Sequence, residues 1–314
     1  MFQNKIKLFS GSSHPELGLE IAKNLGIKLG DITQSKFQCN ESYVKIDETI
    51  RGMDTYILQT ASSKVNDDLM ELFLIMDTLK RASAASINII MPHFAYGRQD
   101  KKSAPREPIS ARLIADLLQA VKIDRLITMD LHADQIQGFF DIPVDHLTAM
   151  PLFVDYFKNK QLKDLVVVAP DTGRAKFAKK LGDKLGADLA IMHKTRPDHN
   201  VAEVVHLVGD VKDKTVLLVD DMVDTAGSIT SGLDKLRLFG CNEDIYLATT
   251  HAIFSGPAIE RLKKANIKEI IATDTVPIPE HKQLDNLTVL STASLLAEVI
   301  KRNIEHESIS TLFN

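Results

Sequence analysis

The chain has 314 residues, 44% of them apolar and 25% charged, the balance of an ordinary globular protein. Its 38 basic and 42 acidic side chains leave a formal charge of −4, whereas general nucleic-acid binding calls for a basic surface. Cys39 and Cys241 make neither a disulfide framework nor a CxxC pair, and no run approaches the ~18 apolar residues of a membrane span. The opening residues 1–9 carry scattered lysines and no apolar core, so they read as the start of the fold rather than a signal peptide. A cytoplasmic protein without nucleic-acid or membrane partners is expected.

Apolar runs at 7–10, 55–59, 87–91 and 125–129 read as strands, and runs at 165–169, 215–219, 245–249 and 269–272 as a second set. They are β-branched or leucine-rich and lack polar alternation, the pattern of strands covered on both faces. Amphipathic stretches at 15–25, 67–82, 110–120, 175–184 and 228–239 lie between them. This alternation predicts parallel sheets flanked by helices, in two tandem doubly wound α/β domains. A boundary is expected within 145–152, where Pro143 and Pro151 bracket a histidine-containing loop. The two halves share a rhythm of strand, polar loop and helix. Either duplication or the common habit of α/β domains accounts for it.

Several familiar motifs are missing: GxxxxGK[ST], HExxH, GxSxG and a strand-following GxGxxG. The strongest local signal is Val216-Leu217-Leu218-Val219-Asp220-Asp221-Met222-Val223-Asp224-Thr225-Ala226-Gly227-Ser228. A buried strand ends in two acids and turns through Asp-Thr-Ala-Gly-Ser into a helix. Backbone N–H groups at the helix start, with the Thr225 and Ser228 hydroxyls, offer an anion cradle. Ala226 and Gly227 are small enough for a phosphate to approach the backbone, and Asp220 and Asp221 can accept hydrogen bonds from sugar hydroxyls. A capped helix after an ordinary strand, with Asp224 or Thr225 as its cap, would use the same residues.

The whole 216–228 pattern resembles the phosphoribosyl pyrophosphate-binding motif of type I phosphoribosyltransferases and their relatives. Further segments narrow the resemblance. Asp130-Leu131-His132 with Gln135-Ile136-Gln137-Gly138-Phe139-Phe140 resembles a signature of ribose-phosphate pyrophosphokinases, also called phosphoribosyl pyrophosphate synthetases. So do Arg98-Gln99-Asp100-Lys101, Arg106-Glu107-Pro108-Ile109, Asn200-Val201-Ala202-Glu203-Val204 and Ser255-Gly256-Pro257-Ala258. They run in order along nearly the whole chain.

The resemblance implies a fold, a reaction and a set of residues. The fold is two type I phosphoribosyltransferase-like domains, 1–148 joined by a C-terminal tail of about 303–314, and 149–302, with the active site at their junction. In the reaction the C1 hydroxyl of ribose 5-phosphate attacks the β-phosphorus of Mg·ATP, giving 5-phosphoribosyl 1-pyrophosphate and AMP. Lys194 and Arg196 match the catalytic pair, in a polar 193–200 segment read as a loop able to close over the triphosphate. Phe37, Cys39, Asn40, Glu41, Arg98, Gln99 and Asp100 fall at ATP-binding positions. Arg196, Asp220, Asp221 and Asp224 to Ser228 fall at ribose 5-phosphate positions, and His132 and Asp171 at Mg²⁺ ligand positions.

The resemblance also implies a homo-hexamer or other even assembly, with phosphate and ADP as effectors. Two departures stand out. The usual Phe-Ser-Asp-Gly-Glu is Phe37-Gln38-Cys39-Asn40-Glu41 here, and a frequent Gly-Gly after the metal aspartate is Gly173-Arg174. They favour an alternative, a non-catalytic regulatory subunit of an active synthetase. Retained Lys194 and Arg196 speak against it. A phosphoribosyltransferase would share the 224–228 turn without needing the Arg98-Gln99 or His132 segments.

Overall fold

The structure, a computed structural model, describes residues 5–195 and 204–313. Chain order begins with β1 (Ile6–Ser10), α1 (Pro15–Leu25) and an antiparallel hairpin of β2 (Ile32–Lys36) and β3 (Ser42–Ile46). It continues through β4 (Asp54–Leu58), α2 (Val65–Arg81), β5 (Ser86–Ile90), α3 (Ser110–Ala120), β6 (Arg125–Met129) and β7 (Val144–Leu147). The strands β1, β4, β5, β6 and β7 form one parallel sheet in that spatial order. Ile57, Ile89 and Leu126 from its strands pack with Leu72, Ile75 and Leu79 of α2 and with Ala115 and Leu118 of α3. All eight are buried.

The second half holds α4 (Met150–Lys160), β8 (Leu165–Ala169), α5 (Ala175–Leu185), β9 (Asp188–Thr195), β10 (Val204–Val208), β11 (Thr215–Val223) and α6 (Gly227–Leu238). After these come β12 (Ile245–Ala252), α7 (Ala258–Lys264), β13 (Glu269–Thr273), β14 (Leu287–Leu290) and α8 (Ala293–Glu305). Seven strands lie in the order β10-β9-β8-β11-β12-β13-β14, parallel except for the β9–β10 pair. The expected strand runs all appear. The hairpin β2–β3 does not announce itself as an apolar run, because its residues are half-buried to exposed and few are apolar.

Two compact units result: Met1–Thr148 with Thr275–Pro277 and Ser291–Asn314, and Ala149–Asp274 with Ile278–Leu290. The expected tail boundary near 303 falls inside α8, and the whole helix goes with the first unit. Side chains show why. Ser291 Oγ donates to Glu20 Oε2 of α1 at 2.7 Å, and Asn303 Nδ2 donates to Asp145 Oδ2 of β7 at 3.0 Å. Asp145 also takes Arg125 Nη1 at 2.8 and 2.9 Å, which fixes the acceptor in place. No helix of the described residues is long and apolar enough to cross a membrane.

Local chemistry marks the helix ends. Pro15 occupies the first turn of α1, where its missing N–H costs nothing, and Gly26 closes the helix at φ +67°. In α2, Asp67 and Asp68 sit in the first turn and Lys80 and Arg81 in the last, each opposing the helix dipole.

One half-buried polar cluster fastens α4 to the second sheet. Glu269 of β13 accepts from the Tyr156 hydroxyl, from Lys160 Nζ at 2.5 Å and from Thr288 Oγ1 at 2.8 Å. Burial pushes the Glu269 carboxyl up, but hydrogen bonds from Lys160, Tyr156 and Thr288 outweigh it and leave the group below its ordinary 4.5. A carboxylate with a depressed folded-state pKa adds stability above its unfolded pKa and loses it as pH falls through the folded value. Glu269→Gln should therefore lower the urea midpoint at pH 6 relative to the parent, and the gap should narrow below about pH 4.5. A gap constant from pH 6 to pH 3.5 would show that the charge of Glu269 does not contribute.

Candidate functional site

Strands buried on both faces leave only their ends for polar chemistry, and many of the sequence-predicted residues lie there. In the first unit β6 ends at Met129, and Asp130 follows with φ +36°, a left-handed backbone that is costly outside glycine. His132, two residues on, is exposed. Leu131 N–H donates to His146 Nε2 at 2.9 Å, fixing the loop against β7. Gly97 approaches the same loop: a Cβ there would lie 3.9 Å from His132 Cβ and 3.3 Å from the Phe94 carbonyl oxygen. The basic segment after it is thereby brought beside His132.

In that segment Arg98 is exposed. Gln99 has a structural task as well, since its Oε1 accepts from Ser110 Oγ at 2.6 Å and its carbonyl from Ala111 N–H at 3.1 Å, where α3 begins. Asp100 Oδ2 accepts from Gln135 Nε2 at 3.0 Å, tying the segment to the signature around residue 136. Phe37, Cys39, Asn40 and Glu41 form the tip of the β2–β3 hairpin, away from these residues in sequence and exposed. Phe37 N–H bonds the Glu41 carbonyl and Asn40 N–H the Phe37 carbonyl, both at 2.9 Å. Asn40 sits at φ +68°, so asparagine keeps the turn that glycine would make.

In the second unit β8 delivers Asp171, whose Oδ1 accepts Arg174 N–H at 3.2 Å and caps the turn leading into α5. β11 delivers Asp220 and Asp221, and Asp221 N–H donates to Asp220 Oδ1 at 2.9 Å. Arg174 lies against both carboxylates, 3.2 Å from Asp221 and 3.8 Å from Asp220. Asp224, Thr225, Ala226, Gly227 and Ser228 form the turn into α6, with Ala226 at φ +58°. A helix start leaves its first N–H groups without intrahelical partners, so this turn can hold an anion.

Ser255 and two residues that sequence reasoning missed, Arg261 and Lys282, surround that turn, and Ser255 and Arg261 bond to it. Ser255 Oγ donates to Asp224 Oδ1, and Ser255 N–H to the Asp224 carbonyl at 2.9 Å. Arg261 of α7 donates Nη1 to the Thr225 carbonyl at 2.9 Å, and a Cβ on Gly227 would lie 3.1 Å from that nitrogen. Lys282 donates to the Ile253 carbonyl at 2.8 Å; burial holds its pKa down while Asp224 pulls it up. Ser255 lay in a quoted segment, but Arg261 and Lys282 are 36 and 58 residues from their turn partners, with no local signal.

Lys194 belongs to β9, where its backbone pairs with Val205 of β10, so the strand runs past the 193 start expected for a loop. Antiparallel pairing, His193 with His206 and Thr195 with Val204, continues it that far. Arg196 lies outside the described residues. No group of three or more potential metal-ligating side chains occurs among the described residues. Asp171 is exposed at the end of β8, and such a carboxylate suits a Mg²⁺ that arrives with substrate phosphates, whereas the imidazole of His132 is an unusual ligand for an ion that prefers oxygen.

A family model described as the N-terminal domain of ribose phosphate pyrophosphokinase matches residues 6–121, and one for the phosphoribosyl synthetase-associated domain matches 197–314. The chain is 49% identical over 313 residues to a ribose-phosphate pyrophosphokinase of Fusobacterium nucleatum, covering 99% of each. It is also 49% identical over 312 residues to one of Bacillus caldolyticus, again with 99% of each covered. A crystal structure of phosphoribosylpyrophosphate synthetase from Mycobacterium smegmatis matches with a TM-score of 0.91 at 45% identity, over 96% of this chain and 99% of that one. This match bears out the expected pair of α/β domains of the type I phosphoribosyltransferase kind.

The brace from α7 has a local readout. Losing one hydrogen bond costs about 0.5–1.5 kcal/mol, so Arg261→Met should speed hydrogen exchange in the 225–228 turn by up to about tenfold. Exchange in β11 should stay unchanged. Equal acceleration in both would mean that Arg261 supports the whole unit rather than the turn.

Proposed function

The chain belongs to the ribose-phosphate pyrophosphokinase family, and on that premise we propose how its residues divide the work. It is an enzyme of nucleotide biosynthesis: ATP and ribose 5-phosphate become 5-phosphoribosyl 1-pyrophosphate and AMP. The C1 hydroxyl attacks the β-phosphorus, the bond to the α-phosphate oxygen breaks, and the pyrophosphoryl group moves as one unit. The residues need only position the reactants and offset charge, since such transfers ask for little covalent help.

The observation that carries the assignment of roles is the strand, acid pair, turn and helix start of 216–228, held by Ser255 and Arg261. Thr225 to Ser228 bind the 5-phosphate through N–H groups and hydroxyls, with Asp224 shaping the turn. Asp220 and Asp221 accept from the ribose hydroxyls. Lys194 and Arg196 meet the charge that spreads over the transferring group, and a subunit without catalysis has no need of them. Arg98, Gln99 and Asp100, with the Phe37–Glu41 tip, bind ATP. His132 and Asp171 would hold Mg²⁺, whose chemistry there is to neutralise phosphate charge. The same reading places the enzyme in the cytoplasm as a homo-hexamer, with phosphate and ADP as effectors. Resemblance along the chain supports it.

AMP formation from ATP and ribose 5-phosphate with Mg²⁺ tests the whole assignment, and no AMP from folded protein across several phosphate concentrations would refute it. Lys194→Ala should cut kcat by about 10²–10³-fold with ribose 5-phosphate binding little changed, as expected of a group that acts in the transition state. A loss below tenfold would make the lysine a bystander.

The exposed hairpin tip gives a second test. Cys39 is a weak acceptor where the usual pattern has a carboxylate able to take the adenine amino proton. Cys39→Asp should lower KM for ATP by up to about tenfold, the worth of one hydrogen bond, and sharpen the preference over GTP. Unchanged kinetics with both nucleotides would mean that position 39 does not read the base.

A further inference from the structure

Arg174 stands where the family pattern has glycine, and its side chain is only 15% exposed. From the start of α5 it reaches the end of β11, with Nε 3.3 Å and Nη2 3.2 Å from Asp221 Oδ1. Phe177 lies one turn on, its ring centroid 5.5 Å from the guanidinium carbon, so the fork is held from behind. The carboxylates it meets are themselves withdrawn from water, Asp221 at 5% and Asp220 at 17% side-chain exposure. Nη2 is buried and donates no aligned hydrogen bond.

Two adjacent carboxylates in such a place repel each other and lose hydration, so their positions depend on an opposite charge close by. A guanidinium offsets them better than an ammonium, because it stays charged and its planar fork has a fixed direction. We infer that Arg174 is a positioning residue for ribose 5-phosphate: its guanidinium holds the Asp220 and Asp221 carboxylates aimed at the sugar hydroxyls. The inference rests on the ribose-binding role proposed for those two acids. Glycine at this position would leave that task to another cation, so Arg174 is a feature of this chain's own site.

The test is steady-state kinetics at saturating Mg·ATP on the full chain carrying Arg174→Met, Arg174→Lys, Asp221→Asn, or Arg174→Met with Asp221→Asn. Arg174→Met should raise KM for ribose 5-phosphate about tenfold or more, the scale of a lost charged hydrogen bond, while kcat changes less than about threefold. Arg174→Lys should return KM to within about threefold of the parent, since it restores the charge without the fork. The double variant should be no worse than Asp221→Asn alone, because the arginine acts through that carboxylate. Should the methionine variant not fold, Arg174→Gln repeats the test with a neutral side chain that still donates. A parental or lower KM in the neutral variants, with Asp221→Asn impaired, overturns the inference, as do losses that simply add in the double variant. A parental KM in Asp221→Asn overturns instead the ribose role of the acids.

Discussion

Burial of parallel strands on both faces is the constraint from which the rest of the second unit follows. Val166 to Ala169 and Val216 to Val219 admit no charged side chain, so the charged groups of β8 and β11 come only at or just past their carboxyl ends. Asp171, Asp220 and Asp221 therefore gather where the backbone leaves the sheet. Concentrated negative charge at a half-dry edge is useful for binding hydroxyls and cations, but it is unstable by itself. Arg174 sets a positive charge against Asp220 and Asp221 from the turn after β8, within reach because β8 and β11 are neighbours in the sheet.

The same constraint shapes the backbone. A chain leaving a buried strand must turn sharply to start a helix on the sheet's face, and this costs conformational energy at single residues. Asp130 at φ +36° and Ala226 at φ +58° are two such points, one after β6 and one before α6. Ala226 is buried at 3% exposure, so the strained residue is locked by packing while its neighbours Thr225 and Ser228 stay exposed. Cross-braces from Ser255 and Arg261 hold the turn by its Asp224 carboxylate and the carbonyls of Asp224 and Thr225. Strain, packing and bracing together hold the turn in one shape, and a preformed turn of this kind would lose little entropy on meeting the 5-phosphate proposed for it.

Much of this was legible in the sequence because it is local. Apolar runs named the central strands, and Asp224 to Ser228 spelled out a turn whose every residue type has a stereochemical reason. Pairings across long separations were not legible. Arg174 stood out only as a departure from a glycine pair, for its partner Asp221 is 47 residues away and emerges only once β8 pairs with β11. Arg261 had no signal at all, since a surface arginine on a short helix looks like any solvated charge. Lys194 was read as part of a loop because polar composition suggests one, but antiparallel pairing with β10 tolerates that composition at a sheet edge. The last helix was split at 303 because nothing local in α8 tells that Ser291 and Asn303 bond to the first unit.

The two departures from the family pattern differ in kind, and the structure separates them. At position 40 the demand is on the backbone, a left-handed residue in a tight turn, and asparagine meets it almost as glycine does. The hairpin tip therefore keeps its shape, and the chemical loss is confined to the carboxylate missing at Cys39. At position 174 the backbone makes no special demand, for φ is −91° and any residue fits. What changes there is charge: a residue free to vary in conformation has placed a guanidinium on the acids proposed to bind the sugar. A substitution that preserves geometry leaves the site's electrostatics to its neighbours, whereas one that adds a buried charge must be answered by opposite charge within a few ångströms. Asp221 and Asp220 give that answer, so the arginine and the two acids form one electrostatic unit.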